Sequence, residues 1–252
     1  CSRKLTFDFG MMWIMCFIPQ IFLSLLLGAW FSDVSLKLKG QRFFKTVMYL
    51  PNLIMASAFS MLFFTLFSDG GPINSILMQI GIISEPYKFL ANTGSARGLI
   101  ALMNCLMWFG NTTLLLISGV LGIDPGLFEA ADIDGATGWK KFRYITLPLL
   151  KPIMLYTLVT SAIGGLQMYD IPALFNVPET GLVGLPDDKT TTMAMYIMRL
   201  YSSDVGKAPA VSVVLFIITL VVSLILFATM SDSEDRRMKK EQKQRRKAGG
   251  RS

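Results

Sequence analysis

Long apolar runs alternate with short polar segments along the chain, and each run is long enough to form a membrane-crossing helix. About 20 mostly apolar residues cross a bilayer core of about 30 Å. Such runs are predicted to be helices, because an open strand would leave backbone N–H and C=O groups unpaired in lipid. The pattern predicts five spans, at residues 9–31, 43–67 with a kink at Pro51, 99–121, 149–175 and 211–230. The predicted fold is therefore all-α, a polytopic bundle of transmembrane helices.

Composition supports a membrane protein and argues against a nucleic-acid partner. Hydrophobic residues make up 52% of the chain and charged residues only 16%, fewer than a soluble domain of 252 residues would carry. The net charge is +7, but nine lysines and arginines lie in residues 231–252, directly after the last span. A basic segment at that place is typical of a cytoplasmic anchor. Residues 1–230 are thus predicted to form a transmembrane domain, followed by the basic cytoplasmic tail 231–252.

The distribution of positive charge predicts the orientation in the membrane. Seventeen of the 24 lysines and arginines fall in one alternating set of connections, and seven in the other. Because cytoplasmic loops carry the excess of positive charge, the first set is predicted to be cytoplasmic. The N-terminus is then outside and the C-terminus inside, and an earlier span is expected to precede this sequence. Residues 68–96, with a short interfacial helix at 76–83, and residues 176–209 become external loops.

A charged, turn-rich segment, residues 122–148, interrupts the apolar pattern on the cytoplasmic side. Asp124 and Pro125 indicate a helix start, since Asp caps and Pro fits the first helical position. Gly135 indicates the end of this helix, and Thr137 can cap a second short helix. Leu127, Phe128 and Ala131 are predicted to form an apolar contact face. The segment is either a docking element for another protein or a structured loop that joins two spans.

The residues of this segment follow the pattern Glu-Ala-Ala, three residues, Gly, nine residues, Ile-x-Leu-Pro. It resembles the EAA motif of ABC-importer permeases, and it is complete. "KLKGQRFFKTVMYLP" and "LQMYDIPALF" on either side are also similar to MalF-like sugar permease subunits. The resemblance implies a MetI-like permease fold. The motif residues are Glu129, Ala130, Ala131, Gly135, Ile145, Leu147 and Pro148.

In this family the segment holds a coupling helix that sits in a cleft of a cytoplasmic ATPase. The resemblance implies four partners: a second permease subunit, an ABC ATPase dimer, an extracellular or periplasmic solute-binding protein, and the lipid bilayer of the bacterial plasma membrane. The chain has no phosphate-binding G-x-x-x-x-G-K-[ST] loop, no His and no catalytic constellation. We therefore expect a transport subunit that is not an enzyme, with no metal or cofactor, ATP being used by the partner.

Polar and aromatic residues inside the spans are candidates for substrate contact, because such groups are costly in lipid and usually face a cavity. Amides bond sugar hydroxyls, and aromatic rings stack on sugar ring faces. The resemblance places the sugar site on the third and fourth spans. The alternative is that these residues bond or pack against neighbouring helices. The candidates are Asn104, Trp108 and Asn111, spaced i, i+4, i+7, and Gly164, Gly165, Gln167, Tyr169 and Asp170.

The predicted function is the permease subunit of a carbohydrate ABC importer. A permease for another small solute, such as glycerol phosphate or a polyamine, is the alternative. Span interiors with little charge favour a neutral sugar or polyol over both of these solutes. A membrane-embedded enzyme lacks a catalytic constellation here, and a scaffold without a transport role does not explain the complete coupling motif.

Overall fold

The computed structural model describes residues 2–32, 41–175, 186 and 188–249, and every regular element in these ranges is a helix. The helices are α1 (Ser2–Ser32), α2 (Gln41–Leu53), α3 (Ala56–Phe67), α4 (Pro72–Gln79), α5 (Thr93–Leu121), α6 (Pro125–Ile133), α7 (Gly138–Lys141), α8 (Leu147–Leu149), α9 (Lys151–Leu166), α10 (Asp170–Phe175), α11 (Met193–Ser203) and α12 (Lys207–Gly249). A π-helical turn, Phe142–Thr146, joins α7 to α8. The all-helical fold predicted from the apolar pattern is confirmed.

Among the described residues, three helices are long and apolar enough to cross a membrane without interruption: α1, α5 and α12. They correspond to the first, third and fifth predicted spans. α5 begins at Thr93 rather than at the predicted Leu99, because the Asn92 side chain accepts a hydrogen bond from the N–H of Gly94 and caps the helix earlier. α12 begins at Lys207 and continues as a helix to Gly249.

The second predicted span is broken, and the predicted position of its kink is wrong. Two helical segments, Phe43–Leu53 and Ala56–Gln79, meet at 90°. The break lies after Pro51, at Met55, whose ψ of 134° is extended and ends the helical path. Within α2, the Asn52 amide donates to the carbonyl of Met107 at 3.1 Å, which fixes the end of α2 against α5.

The fourth predicted span, residues 149–175, is also not one helix. α9 ends at Leu166, and residues 167–169 separate it from α10. Two consecutive glycines just before the break lower helix propensity, and Pro172 fits the first turn of a new helix. At its other end the span bends by 63°, between Gly138–Leu149 and Lys151–Leu166. The described part of the chain thus holds up to five candidate spans when each bent pair counts as one.

α5 is the central helix, and α1, α2, α3, α9 and α10 all pack against it. The larger core cluster joins α1, α3, α5 and α10, and the smaller cluster joins the C-terminal end of α5 to the start of α9. The larger cluster consists of Met12, Phe59, Leu99, Ile100, Met103, Met107, Ile171 and Phe175. The smaller cluster consists of Leu116, Val120 and Leu150.

The first predicted external loop contains a helix, as expected, although its bounds differ from the predicted 76–83. α4 starts at Pro72, and the fully buried Asn74 organises the loop. The Asn74 amide donates to the carbonyl of Tyr87 at 3.0 Å, and its oxygen accepts from the N–H of Tyr87 at the same distance. The second predicted external loop contains α11, which the apolar pattern did not predict. Residues 176–185 and 187 of that loop lie outside the described part of the chain.

Gly110 sets the distance between α2 and α5, and its replacement is predicted to weaken their packing. A Cβ at Gly110 would overlap the carbonyl of Met48 and lie 3.1 Å from the Cα of Tyr49. Because both neighbours are backbone atoms, Gly110→Ala is expected to lower the free energy of unfolding by about 1–3 kcal/mol. Thermal unfolding of the purified transporter measures this change.

Gly98→Ala is the matched control for this prediction. Gly98 is in the same helix and has no atom within 4 Å of a built Cβ. Alanine there is expected to leave stability unchanged or raise it by up to about 1 kcal/mol, since Ala is the better helix former. Equal unfolding temperatures for the two variants would show that the α2–α5 contact does not depend on Gly110.

Candidate functional site

The segment between α5 and α9 begins with a capped helix. The Asp124 carboxylate accepts a hydrogen bond from the N–H of Gly126 at 2.9 Å, and Pro125 occupies the first helical position. Both features were predicted from the sequence. Together they satisfy an unpaired N–H at the start of α6 and fix where the helix begins.

A glycine turn ends α6 and reverses the chain. Gly135 has a φ of +68°, in the left-handed region where a Cβ is strained. Its N–H donates to the carbonyl of Asp132 at 3.0 Å, and the N–H of Ala136 donates to the carbonyl of Ala131 at 2.9 Å. This pair of hydrogen bonds is the Schellman motif, which satisfies the last carbonyls of a helix. The predicted stop at Gly135 is therefore confirmed, and the turn geometry explains why Gly is placed there.

α7 is tied back to α6 across this turn. The Thr137 hydroxyl caps α7 by accepting from the N–H of Lys140 at 3.4 Å. The Lys141 ammonium forms an ion pair with the Asp132 carboxylate at 2.7 Å, so the two short helices are also joined by their side chains. The segment is thus a preformed helix–turn–helix.

The outward face of α6 carries Glu129 of the motif. Gly126, Glu129, Ala130 and Ile133 share a helical face, and all four are exposed. Ile133 is 88% exposed, while Phe128 and Ala131 of the predicted contact face are partly covered. Of the predicted apolar face, Leu127 is thus exposed, and only Phe128 and Ala131 are partly covered. Glu129 makes no hydrogen bond or ion pair with the residues that the structure describes.

Sequence reasoning missed three exposed apolar or aromatic side chains near this face. Ile133, Trp139 and Tyr144 are 88%, 70% and 74% exposed. The sequence did contain a sign of them, because each is a large apolar or aromatic residue in a polar segment that lies outside the predicted spans. The last three motif residues have a different environment: Ile145, Leu147 and Pro148 are partly buried around the buried Thr146, where the segment joins α9.

The three candidates on α5 lie along its less covered side. Trp108 is 49% exposed and Asn111 is exposed, whereas the next residues on the helix, Thr112 and Thr113, are buried. Asn104 is partly buried, and its amide donates to the thiol sulfur of Cys16 in α1 at 3.1 Å. The stripe predicted from the spacing is therefore present, with one member tied to a neighbouring helix.

The five candidates on the fourth span lie around the break between α9 and α10, in different environments. Gly164, Gln167 and Asp170 are exposed and Tyr169 is partly buried. Gly165 is buried, and a Cβ there would come within 2.9 Å of the indole nitrogen of Trp13. Gly165 thus allows close packing of α1 on α9. The exposed Tyr156 and Thr160 precede Gly164 at four-residue intervals and extend the same stripe; sequence reasoning missed them.

A comparison with known families decides what kind of protein carries these features. Residues 12–240 match the family of binding-protein-dependent transport system inner membrane components. The chain belongs to this family. It is a multi-pass membrane permease subunit of the ABC-importer type and not an enzyme.

Relatives and a solved structure agree with the family. The permease is 32% identical over 218 residues to the lactose transport system permease protein LacF of Rhizobium radiobacter, covering 86% of this chain and 71% of that protein. It is 34% identical over 190 residues to the arabinooligosaccharides transport system permease protein AraP of Bacillus subtilis (strain 168), covering 74% and 59%. The crystal structure of a bacterial ABC transporter involved in the import of the acidic polysaccharide alginate aligns with a TM-score of 0.80 at 23% identity, over 91% of this chain and 78% of that chain. That likeness shows the fold.

Replacing Gly135 is predicted to open the turn of the permease's helix–turn–helix. A residue with a Cβ costs about 1–2 kcal/mol at this φ, so Gly135→Ala should speed hydrogen exchange of the Ala136 amide about 5- to 30-fold. Gly135→Val should do more, because a β-branched residue with positive φ is a severe outlier. Hydrogen exchange with mass spectrometry on the purified transporter measures both.

Gly138→Ala is the control for the turn. Gly138 also has open space around a built Cβ but no positive φ. Its exchange pattern should match wild type. If Gly135→Ala also leaves exchange unchanged, the turn does not depend on glycine.

Proposed function

We propose that this permease carries a neutral carbohydrate across the membrane, in a transporter completed by a second permease subunit, a cytoplasmic ABC ATPase dimer and an external solute-binding protein. The observation that carries the proposal is the preformed helix–turn–helix, whose exposed face carries Glu129 without a partner among the described residues. A carbohydrate is supported by the names of the relatives, which include lactose and arabinooligosaccharide permeases. Uptake of labelled lactose, maltose and arabinotriose by the reconstituted complex tests the substrate class.

In this proposal the helix–turn–helix couples ATP hydrolysis in the partner to the pathway. The outward face of α6 combines one carboxylate with the apolar Ile133, a combination that suits a cleft with a cationic and an apolar wall. The Schellman turn and the Lys141–Asp132 ion pair hold α6 and α7 together. A push on α6 is therefore passed as a rigid-body movement to the spans that follow. The permease itself then needs no cofactor.

Removing the Glu129 carboxylate is predicted to loosen the ATPase. A hydrogen bond to a charged group contributes roughly 1.5–3 kcal/mol, or about one to two orders of magnitude in an association constant. Glu129→Ala should leave the permease in the membrane, reduce co-purification of the ATPase and lower uptake. Asp134→Ala is the control, because it removes another exposed carboxylate from the same segment. Normal co-purification of Glu129→Ala would mean that α6 is not the docking helix.

The substrate pathway is proposed to run along the exposed stripes of α5 and of α9. On α5, Trp108 offers a ring face and Asn111 an amide without a partner among the described residues. On α9, Tyr156 and Thr160 continue the exposed side, and the exposed Gln167 follows directly after the helix. These groups are neutral hydrogen-bonding and aromatic groups, which suits sugar hydroxyls and ring faces rather than a phosphate ester or a polyamine.

Asn111→Leu is predicted to weaken sugar transport. Loss of a neutral hydrogen bond of about 0.5–1.5 kcal/mol should raise the KM for uptake about 2- to 10-fold, with ATPase co-purification unchanged. Ser118→Ala is the control: Ser118 is exposed on the same helix, but its hydroxyl bonds the carbonyl of Leu114. An unchanged KM in Asn111→Leu would assign Asn111 to helix packing.

The orientation is proposed from the charge distribution, with the helix–turn–helix and the C-terminus in the cytoplasm and the N-terminus of this chain outside. In a background with serine for every cysteine, an impermeant thiol reagent on intact cells should label Glu85→Cys and spare Lys140→Cys; both positions are exposed. The buried Asn74 is unsuitable for this test. Labelling of position 140 in intact cells would show that the chain has the opposite orientation in the membrane.

A further inference from the structure

Four buried or partly buried polar side chains form a continuous hydrogen-bond relay between α1 and α5. The Asn104 amide nitrogen donates to the Cys16 sulfur at 3.1 Å, and the Cys16 thiol donates to the Gln20 amide oxygen at 3.7 Å. The Gln20 nitrogen donates to the Thr112 hydroxyl at 2.8 Å, and that hydroxyl donates to the carbonyl of Trp108 at 3.2 Å. The relay leaves α5 at Asn104, passes through α1 and returns to α5.

The direction of this relay follows from the donors that each group possesses. Thr112 gives its single proton to the Trp108 carbonyl, so its oxygen is an acceptor and Gln20 must turn its NH₂ towards it. The Gln20 oxygen then faces Cys16, which has a single S–H to give. Cys16 can only accept from Asn104 by its sulfur, so the Asn104 NH₂ faces α1. The Asn104 oxygen has no partner among the residues that the structure describes.

Such an oxygen is costly in a membrane unless it is used. An unpaired polar atom away from water is destabilising, because it has lost its hydrogen bonds to water without gaining others. The hydrogen bonds that hold α1 against α5 do not use the Asn104 oxygen, so helix packing alone gives no reason for this free acceptor. Cys16, Gln20 and Thr112 are 3%, 4% and 4% exposed, so none of them can meet a solute. Asn104 lies at the edge of the stripe that carries Trp108 and Asn111.

We propose that Cys16, Gln20 and Thr112 are positioning residues of the transport pathway: they hold the Asn104 amide with its oxygen directed away from α1 as an acceptor for a hydroxyl of the sugar. The inference rests on the proposed function, in which the sugar passes along the exposed stripe of α5, and it adds Asn104 as a sugar contact on that stripe. Because the relay ends on the backbone of Trp108, it also joins the two candidates on this part of α5 in one network.

The first experiment tests the direction of the relay and needs no substrate. The infrared S–H stretching band of Cys16 is taken from the difference between the spectra of the wild-type complex and the Cys16→Ala complex. A thiol that donates to Gln20 absorbs at lower frequency than a free thiol, and Gln20→Leu should move the band to the free-thiol position. A wild-type band already at the free-thiol position would overturn the relay.

The second experiment separates positioning from stability. Uptake is measured with whichever of labelled lactose, maltose and arabinotriose the wild-type complex transports best. Thr112→Val is expected to raise the KM about 2- to 10-fold, with Vmax and ATPase co-purification near wild type, and Thr112→Ser should restore the KM. A lower unfolding temperature or Vmax with an unchanged KM would show a structural role alone and overturn the proposal.

A double-mutant cycle distinguishes failure of this inference from failure of the proposed function. If Thr112 acts through Asn104, Thr112→Val should have no further effect on the KM in the presence of Asn104→Leu. Full additivity of the two effects would overturn the relay while leaving Asn104 as a sugar contact. A wild-type KM for Asn104→Leu would remove Asn104 from the proposed pathway.

Discussion

The packing of other helices against α5 is the constraint on which the rest of this structure depends. Lipid is as apolar as the side chains, so helices in a membrane associate through close backbone approach and interhelical hydrogen bonds rather than through the hydrophobic effect. Both devices are used on α5. Gly110 admits the backbone of α2, and α1 is bonded to α5 through Gln20 and Ser24. Cys16 contacts Asn104, Gln20 contacts Thr112 and Gly28 lies against Leu116, so α1 and α5 run parallel.

The two broken spans have a common consequence. An interruption exposes backbone groups that lipid cannot satisfy, so it must be covered by protein or line a cavity. At the break between α9 and α10, a described contact shows that other protein elements pack there. The carbonyl of Ile171, just after the α9–α10 break, accepts from the buried Ser60 hydroxyl at 3.4 Å, which joins α10 to α3. Around this break, Met168 packs against the larger core cluster and Ile171 belongs to it, so Gln167, Tyr169 and Asp170 lie next to these residues in the chain rather than along a continuous helix.

The helix–turn–helix between α5 and α9 is built on a different principle. No residue of α6 or α7 is buried, so burial contributes little to holding their shape. The shape comes from two caps, a left-handed glycine and one ion pair, all of which act over a few residues. Such a segment keeps its form while exposing Glu129 and Ile133, as a docking element must.

Local chemistry explains why much was predictable from the sequence. Apolar runs determine that the chain crosses the membrane, and the caps at Asp124 and Thr137 and the turn at Gly135 depend only on near neighbours. The exposed side of α5 also follows from the spacing of Asn104, Trp108 and Asn111. The four-residue spacing of Cys16, Gln20 and Ser24 in an apolar run was a readable signal of a polar interface that sequence reasoning did not use. Only the tertiary structure decided their partners, the position of the breaks and the packing of Gly165 on Trp13. Each of these depends on residues from distant parts of the chain meeting at one depth, and no local pattern encodes that meeting.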